Sequence, residues 1–373
     1  MVVGWVVGCV SGPTGRPTEG SPAGPLVVDA APTFRRGVHV RHWLGHLVPT
    51  YLGHSGVPHT YAAPWFDDED LEWIAAHGFD HVQVHVDAEQ WFADDGALDE
   101  PALAPFDALL ASAGRRGLGV VLLLDGTPGA TAPFDPSDPG AVARRTDGWR
   151  QVAARFAAVG PALRLRTAED PEPSTESARE RLSGYLEAIR ASSPRRFVYL
   201  PVPLGAGGDP QDPLAALGEP TGWDDAVGLS FSYYRPELFV FQRGDQAVRV
   251  PWPGVVPDLG ELSEDRYAEW YLPVARAAVP GAPLGPELVD AQIAALGAWV
   301  TAHDPGRELL LGEFGLYEGG PDPDAARRYL GDVVRAAERH QVGWSIYDYE
   351  SGRAIRGDDG QPTVFYDALP LGG

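Results

Sequence analysis

Two residue types are missing altogether: the chain contains no lysine and no asparagine, so every basic side chain is an arginine. A site that ordinarily uses an amine or an asparagine amide must use another group here. Cysteine occurs once, at Cys9, which excludes a disulfide framework and a cysteine-built metal site. Cationic charge is scarce as well. With 29 basic against 52 acidic residues the formal net charge is -23, which argues against nucleic acid or an anionic membrane surface as partner. That balance suits a neutral ligand, or simply high solubility. No run of about 18 apolar residues is present, so no membrane span is expected. What the chain does have is a hydrophobic content of 44% over 373 residues, enough for one large barrel or two ordinary domains.

Residues 1–34 read as a tail. Cys9 follows Val6-Val7-Gly8, a pattern that resembles the lipobox of bacterial lipoprotein signals, and the Gly-, Pro-, Ser- and Thr-rich tract from Ser11 to Pro32 would then be a tether. No basic residue precedes the apolar segment, which is short, so a plain disordered tail is the other reading. The first places the protein outside the cytoplasm, secreted or lipid-anchored at Cys9; the second leaves it cytoplasmic.

From residue 35 to 373 apolar strands alternate with amphipathic helices, the pattern of a parallel α/β architecture. Strands are expected at 37–40, 81–86, 119–124, 163–167, 197–202, 227–231, 309–311 (ending in Gly312-Glu313-Phe314-Gly315) and 343–349. Helices are expected near 67–77, 101–116, 141–158, 177–191, 264–278, 286–303 and 324–340. Eight such alternations predict a single-domain (β/α)8 TIM barrel with extended loops. The acidic runs Asp67-Asp68-Glu69-Asp70 and Asp94-Asp95 read as helix-start and loop charges. No phosphate loop or nucleotide fingerprint occurs at a strand end, and no cofactor is expected.

In such a barrel the C-terminal ends of the strands carry the chemistry. Glu313 stands there between Gly312 and Gly315, at the end of strand seven, and Glu169 and Asp170 end strand four. Two facing carboxylates are what glycoside hydrolysis needs, one as nucleophile and one as proton donor. Glu313 alone could equally be an ordinary loop residue. Trp43, Tyr233, Tyr234, Trp344, Tyr347 and Tyr349 gather at other strand ends, where flat rings can stack on sugars; part of any such set belongs to the core.

The motifs in order are Arg36-Gly37-Val38, His81 to Asp87, Gly126-Thr127-Pro128-Gly129, Phe231 to Pro236, Val250-Pro251-Trp252-Pro253, Gly312-Glu313-Phe314-Gly315 and Gly343 to Tyr349. Together they resemble bacterial glycoside hydrolase family 5, the cellulase and β-mannanase family, over residues 36–371. The resemblance implies that Glu313 is the nucleophile and Tyr234 its tyrosine partner. The other site positions depart from the family pattern. The strand-two Arg is Gln83, the strand-three His is Asp125, and the strand-four Asn-Glu pair is Glu169-Asp170. The strand-six His is Ser232, and the strand-eight Trp is Tyr347.

These departures have a physical cost. A general acid must reach the leaving oxygen, and an Asp carboxyl falls about 1.5 Å short of a Glu carboxyl. Losing the strand-two Arg removes a cation beside the nucleophile, and losing the Asn removes a donor to the sugar 2-hydroxyl. Glu169 could replace Asp170 only if the backbone turned. The expectation is a barrel, most simply a monomer, that binds a β-linked oligo- or polysaccharide with weak or absent hydrolysis. The alternative is an active retaining β-glycosidase with a rebuilt site. Candidate catalytic residues are Glu313, Asp170 and Glu169. Candidate sugar contacts are Tyr234, Tyr233, Tyr347, Trp344, Trp43, Gln83, Asp125 and Ser232. A metal-dependent barrel would have to be built on His39, His42, His46, His81 and His85, but their spacing matches no metal motif and no metal site is expected.

Overall fold

The computed structural model describes residues 32–44, 66–128, 134–167, 176–202, 223–243, 248–263, 267, 271–317, 320–349, 355–357 and 359–371. The lipobox-like Cys9, the tether and the strand-four pair Glu169 and Asp170 lie outside these residues.

Eight parallel strands close into a barrel in chain order: β1 (Arg36–Leu44), β2 (His81–Asp87), β3 (Gly119–Asp125), β4 (Leu163–Thr167), β5 (Val198–Pro201), β6 (Val227–Ser232), β7 (Leu309–Phe314) and β8 (Gly343–Tyr347), with β8 returning to β1. The expected (β/α)8 architecture is therefore observed. The main helices are α1 (Asp68–Ala76), α2 (Glu100–Arg115), α3 (Pro139–Arg155), α4 (Glu176–Ser192), α5 (Pro286–His303) and α6 (Pro323–Arg339). In place of the helix expected at 264–278, a shorter one covers Leu272–Ala277 within the described residues. None of the described helices is long and apolar enough to cross a membrane.

Local chemistry explains where the helices begin. Asp67 caps α1 by accepting from Glu69 N–H at 2.8 Å, and Asp70 answers by accepting from Asp67 N–H at 2.8 Å. The acidic run is thus a helix start, as its sequence implied. Asp138 and Asp322 cap α3 and α6, each followed by a proline at the first helical position. On α6, Ala326, Tyr329, Leu330, Val333, Val334 and Ala337 form one buried stripe against the wall.

The strands divide their residues by parity. Val38, Val82, Val84, Val120, Leu122, Leu163, Leu165, Val198, Leu229, Leu311, Trp344 and Ile346 face outward into one apolar belt beneath the helices. Much of the inward set is polar. His39, His81, Gln83, Arg166, Ser230 and Ser345 are all buried, although such interiors are dominated by branched aliphatics in most barrels. A small apolar floor of Phe34, Val121, Tyr199 and Leu310 closes the N-terminal end. At the same end Arg164 pairs with Glu308 at 2.6 Å and lies 3.8 Å over the Phe34 ring.

Two buried side chains, Arg196 and His81, show how polar groups are satisfied inside this frame. Arg196 donates to four carbonyls, Phe156, Val159, Gly160 and Leu163, at 2.7–2.9 Å. Desolvation without a carboxylate partner brings its guanidinium down to about 10. At the floor, His81 is held between Asp80 at 2.6 Å and Ser345 at 2.8 Å. Burial works against ionising Asp80, but bonds from His81, Thr33 and the Arg35 amide outweigh it and bring its carboxyl down to about 2.

Candidate active site

The end of β7 is out of step with both neighbours. Leu311 pairs with Phe231 and Glu313 with Ser232, so two residues of β7 advance against one of β6. On the other side Leu311 pairs with Trp344 and Phe314 with Ile346, three steps against two. One extra residue has entered β7 between Leu311 and Phe314. A bulge of this kind re-aims side chains. Without it, strict alternation would send Glu313 outward into the belt; with it, Glu313 shares the inward side of Ser232 while Phe314 fills the belt.

Both glycines around Glu313 follow from crowding. A Cβ on Gly312 would meet Arg166 Cζ at 2.9 Å, and one on Gly315 would meet the Tyr347 carbonyl oxygen at 2.3 Å. Gly312 thus leaves room for a buried guanidinium directly beneath the catalytic candidate. Arg166 is 1% exposed and donates to Ser230 Oγ at 3.1 Å and Ser232 Oγ at 3.3 Å.

Glu313 itself is held from β6. Tyr234 donates its hydroxyl to Glu313 Oε1 at 2.7 Å, and the Tyr233 amide donates to the Glu313 carbonyl at 2.8 Å. Tyr234 stacks on Phe241 with ring centroids 5.6 Å apart. On the β2 side, the Gln83 amide donates to the Gly312 carbonyl at 2.8 Å and lies 3.2 Å from His39 Nδ1. Gln83 therefore bonds the backbone of the bulge. Tyr347 packs edge-on against His39 at 5.3 Å and is half-buried at the end of β8. Asp125, at the end of β3, accepts from Arg145 at 3.1 Å and from the Gly126 amide at 2.6 Å.

Several expected sugar contacts are corrected by this geometry. Trp344 is fully buried on the outward parity of β8, packed edge-on against Phe79 and Phe314. It cannot stack on a ligand. Tyr233 is fully buried too, its hydroxyl donating to Gln292 at 2.6 Å, and burial pushes its phenol far up. Tyr349 donates to Asp70 at 2.7 Å beneath α1, in the core. Gln83 is buried and reaches the site only through Gly312. Glu313, Tyr234, Ser232, Tyr347 and Asp125 remain partly open around the mouth. The side chain of Trp43 lies outside what the structure describes, as do Glu169 and Asp170.

From the sequence His39 is only a metal candidate, and Arg166, near the end of strand four, suits an ion pair as well as the cleft. Arg166 could have been found, because in Leu163-Arg164-Leu165-Arg166-Thr167 the leucines mark the outward parity and force both arginines inward.

No family model matches the chain. By sequence it is 22% identical to Endoglucanase C of Acetivibrio thermocellus over 333 residues, 85% of this chain and 92% of that protein. It is equally similar to Endoglucanase C307 of Clostridium sp. (strain F1), at 22% identity and the same coverage. Among solved structures, endoglucanase Cel5A from Thermotoga maritima superposes with a TM-score of 0.66 at 20% identity, over 90% of this chain and 97% of that one. The cellulose synthase subunit Z of Clostridioides difficile gives 0.65 at 19% identity, over 90% and 99%. The chain thus has the (β/α)8 fold of these solved structures, and its relatives by sequence are endoglucanases.

Proposed function

We propose that the barrel mouth binds a β-linked oligo- or polysaccharide and hydrolyses it slowly. The observation that carries this reading is the bulge in β7, which turns Glu313 inward and leaves its carboxylate bonded to Tyr234. A carboxylate so placed is suited to attack an anomeric carbon. The endoglucanase relatives support a β-glucan as the substrate class. Slowness follows from the proton donor: strand four offers Glu169-Asp170 where the pattern it resembles has Asn-Glu, so the acid is a methylene short and the 2-hydroxyl donor is gone. An exported setting, with Cys9 as anchor, fits such a substrate; that placement rests on the sequence pattern alone.

The second reading is a competent retaining β-glycosidase using Glu313 as nucleophile and Asp170 or Glu169 as acid/base. Arg166 favours it, since a guanidinium packed on Gly312 puts positive charge near Glu313 from β4 in place of the missing strand-two arginine.

Aryl β-cellobiosides with leaving groups of graded acidity separate the two, because a good leaving group departs without a proton. Slow hydrolysis of β-glucan beside faster release of dinitrophenol is the expected result. Comparable efficiency on both substrates would establish the competent enzyme. Failure to bind or turn over any β-glycan across a broad panel would overturn both readings.

A further inference from the structure

We propose that His85, Asp87 and Asp125 form a divalent-cation site on the rim of the barrel between β2 and β3. The inference rests on geometry alone and does not depend on the glycan reading.

The strands place the three groups together. Asp87 and Asp125 are register partners on adjacent parallel strands, and His85 precedes Asp87 by two residues, on the same inward parity. His85 Nε2 lies 3.4 Å from Asp87 Oδ1 and 3.7 Å from Asp125 Oδ2, and one ligand atom from each residue falls within 4.8 Å of the other two. Both histidine distances exceed a good N–H···O bond, which is about 2.9–3.0 Å. They resemble the spacing between ligands of one shared cation. Ligand atoms about 2.0–2.2 Å from a tetrahedral zinc stand about 3.3–3.6 Å apart along an edge.

The neighbours orient each ligand. Asp125 Oδ1 is committed to the Gly126 amide at 2.6 Å and to Arg145 at 3.1 Å, which leaves Oδ2 as the oxygen nearest His85. Arg145 is itself fixed, 3% exposed and bonded through Nε to the Gly126 carbonyl at 2.9 Å. Asp87 occupies the N-cap of the short helix Ala88–Trp91, yet its side chain makes no capping bond; its Oδ1 faces His85 instead. The His39 ring stacks on the His85 ring, with centroids 5.9 Å apart and planes at 16°, and sets its plane. The two carboxylates outnumber the one guanidinium beside them. One imidazole and two carboxylates suit zinc or manganese, with the remaining coordination positions toward the mouth.

The test uses the full chain, stripped with a chelator and titrated calorimetrically with Zn²⁺, then with Mn²⁺. Saturable uptake of about one equivalent is expected. Asp87→Asn and His85→Gln should each weaken it on the order of 10-fold or more, since even groups supporting a ligand cost that much. Zn²⁺ should raise Tm in the wild type and leave it unmoved in both variants. If His85→Gln folds poorly, Asp87→Asn, isosteric and on the rim, decides alone. Absence of saturable binding would overturn the proposal and leave His85 simply packed beside two carboxylates. So would uptake whose affinity is the same in the variants, which would locate the cation at other histidines.

Discussion

The phenol of Tyr234 donates to Glu313 at 2.7 Å across the seam where β6 and β7 fall out of step. Tyrosine and carboxylate are thus brought together by the extra residue in β7. A regular strand would have turned Glu313 away from the ring.

On dinitrophenyl cellobioside, Glu313→Ala should remove turnover, because the variant has no carboxylate to attack. Tyr234→Phe should lower kcat about 10- to 100-fold, the equivalent of one hydrogen bond to a charged group at about 1.5–3 kcal/mol. Steady-state kinetics of both variants check this. Wild-type kcat in Tyr234→Phe would show that the phenol does not position the nucleophile.

Gly312→Ala tests the bulge itself. The new methyl meets Arg166 at 2.9 Å, inside a buried and hydrogen-bonded setting where the guanidinium has little room to move. Overpacking of this sort costs about 1–3 kcal/mol. Denaturant unfolding should show that loss, and kcat should fall with it because the peptide carrying Glu313 shifts.

Trp344 and Tyr347 should separate stability from binding. Trp344→Ala opens a hole in the apolar belt and should cost about 3–5 kcal/mol, with glycan affinity retained in whatever fraction folds. Tyr347→Ala, at the mouth, should leave the melting temperature within a few degrees and weaken glycan affinity. Thermal melts paired with affinity electrophoresis on β-glucan would reveal a reversed pattern.

Acid stability should report Asp80. Its carboxyl is depressed from 3.8 to about 2, so its stabilisation is complete above the unfolded value. That stabilisation is lost as pH falls from about 4 through about 2. The shift corresponds to about 2 kcal/mol. Asp80→Asn should therefore be less stable than wild type near pH 6, and the gap should narrow below pH 4. Urea unfolding at a series of pH values measures it, and a gap independent of pH would exclude the carboxylate as its source.

Much of the architecture was legible because outward residues carry it. Val82, Val84 and Val86, or Leu163 and Leu165, alternate with polar residues and declare both strand and parity. The start of α1 was legible from the acidic run at Asp67, since capping is local chemistry. The site was less so. In Gly343-Trp344-Ser345-Ile346-Tyr347 aromatics stand on both parities, and period two alone does not say which faces the mouth. Tyr233 and Tyr234 are adjacent, and only the shifted pairing with Glu313 shows that the second reaches the carboxylate. A bulge depends on what neighbouring strands do, so its sequence trace is slight: a glycine before Glu313.

Cohesion in this barrel resides in the belt between wall and helices, while above its apolar floor the axis carries many polar groups bonded to one another and to backbone. The two are therefore largely separable under mutation. Exchanging residues along the axis alters what the mouth can recognise or transform without dismantling the wall. A chain of this design can carry Gln83, Asp125, Ser232 and Tyr347 at the positions that would define another chemistry and still close the same eight strands. As a scaffold for selecting new specificities, it offers an interior that can be rewritten one hydrogen-bonded neighbourhood at a time.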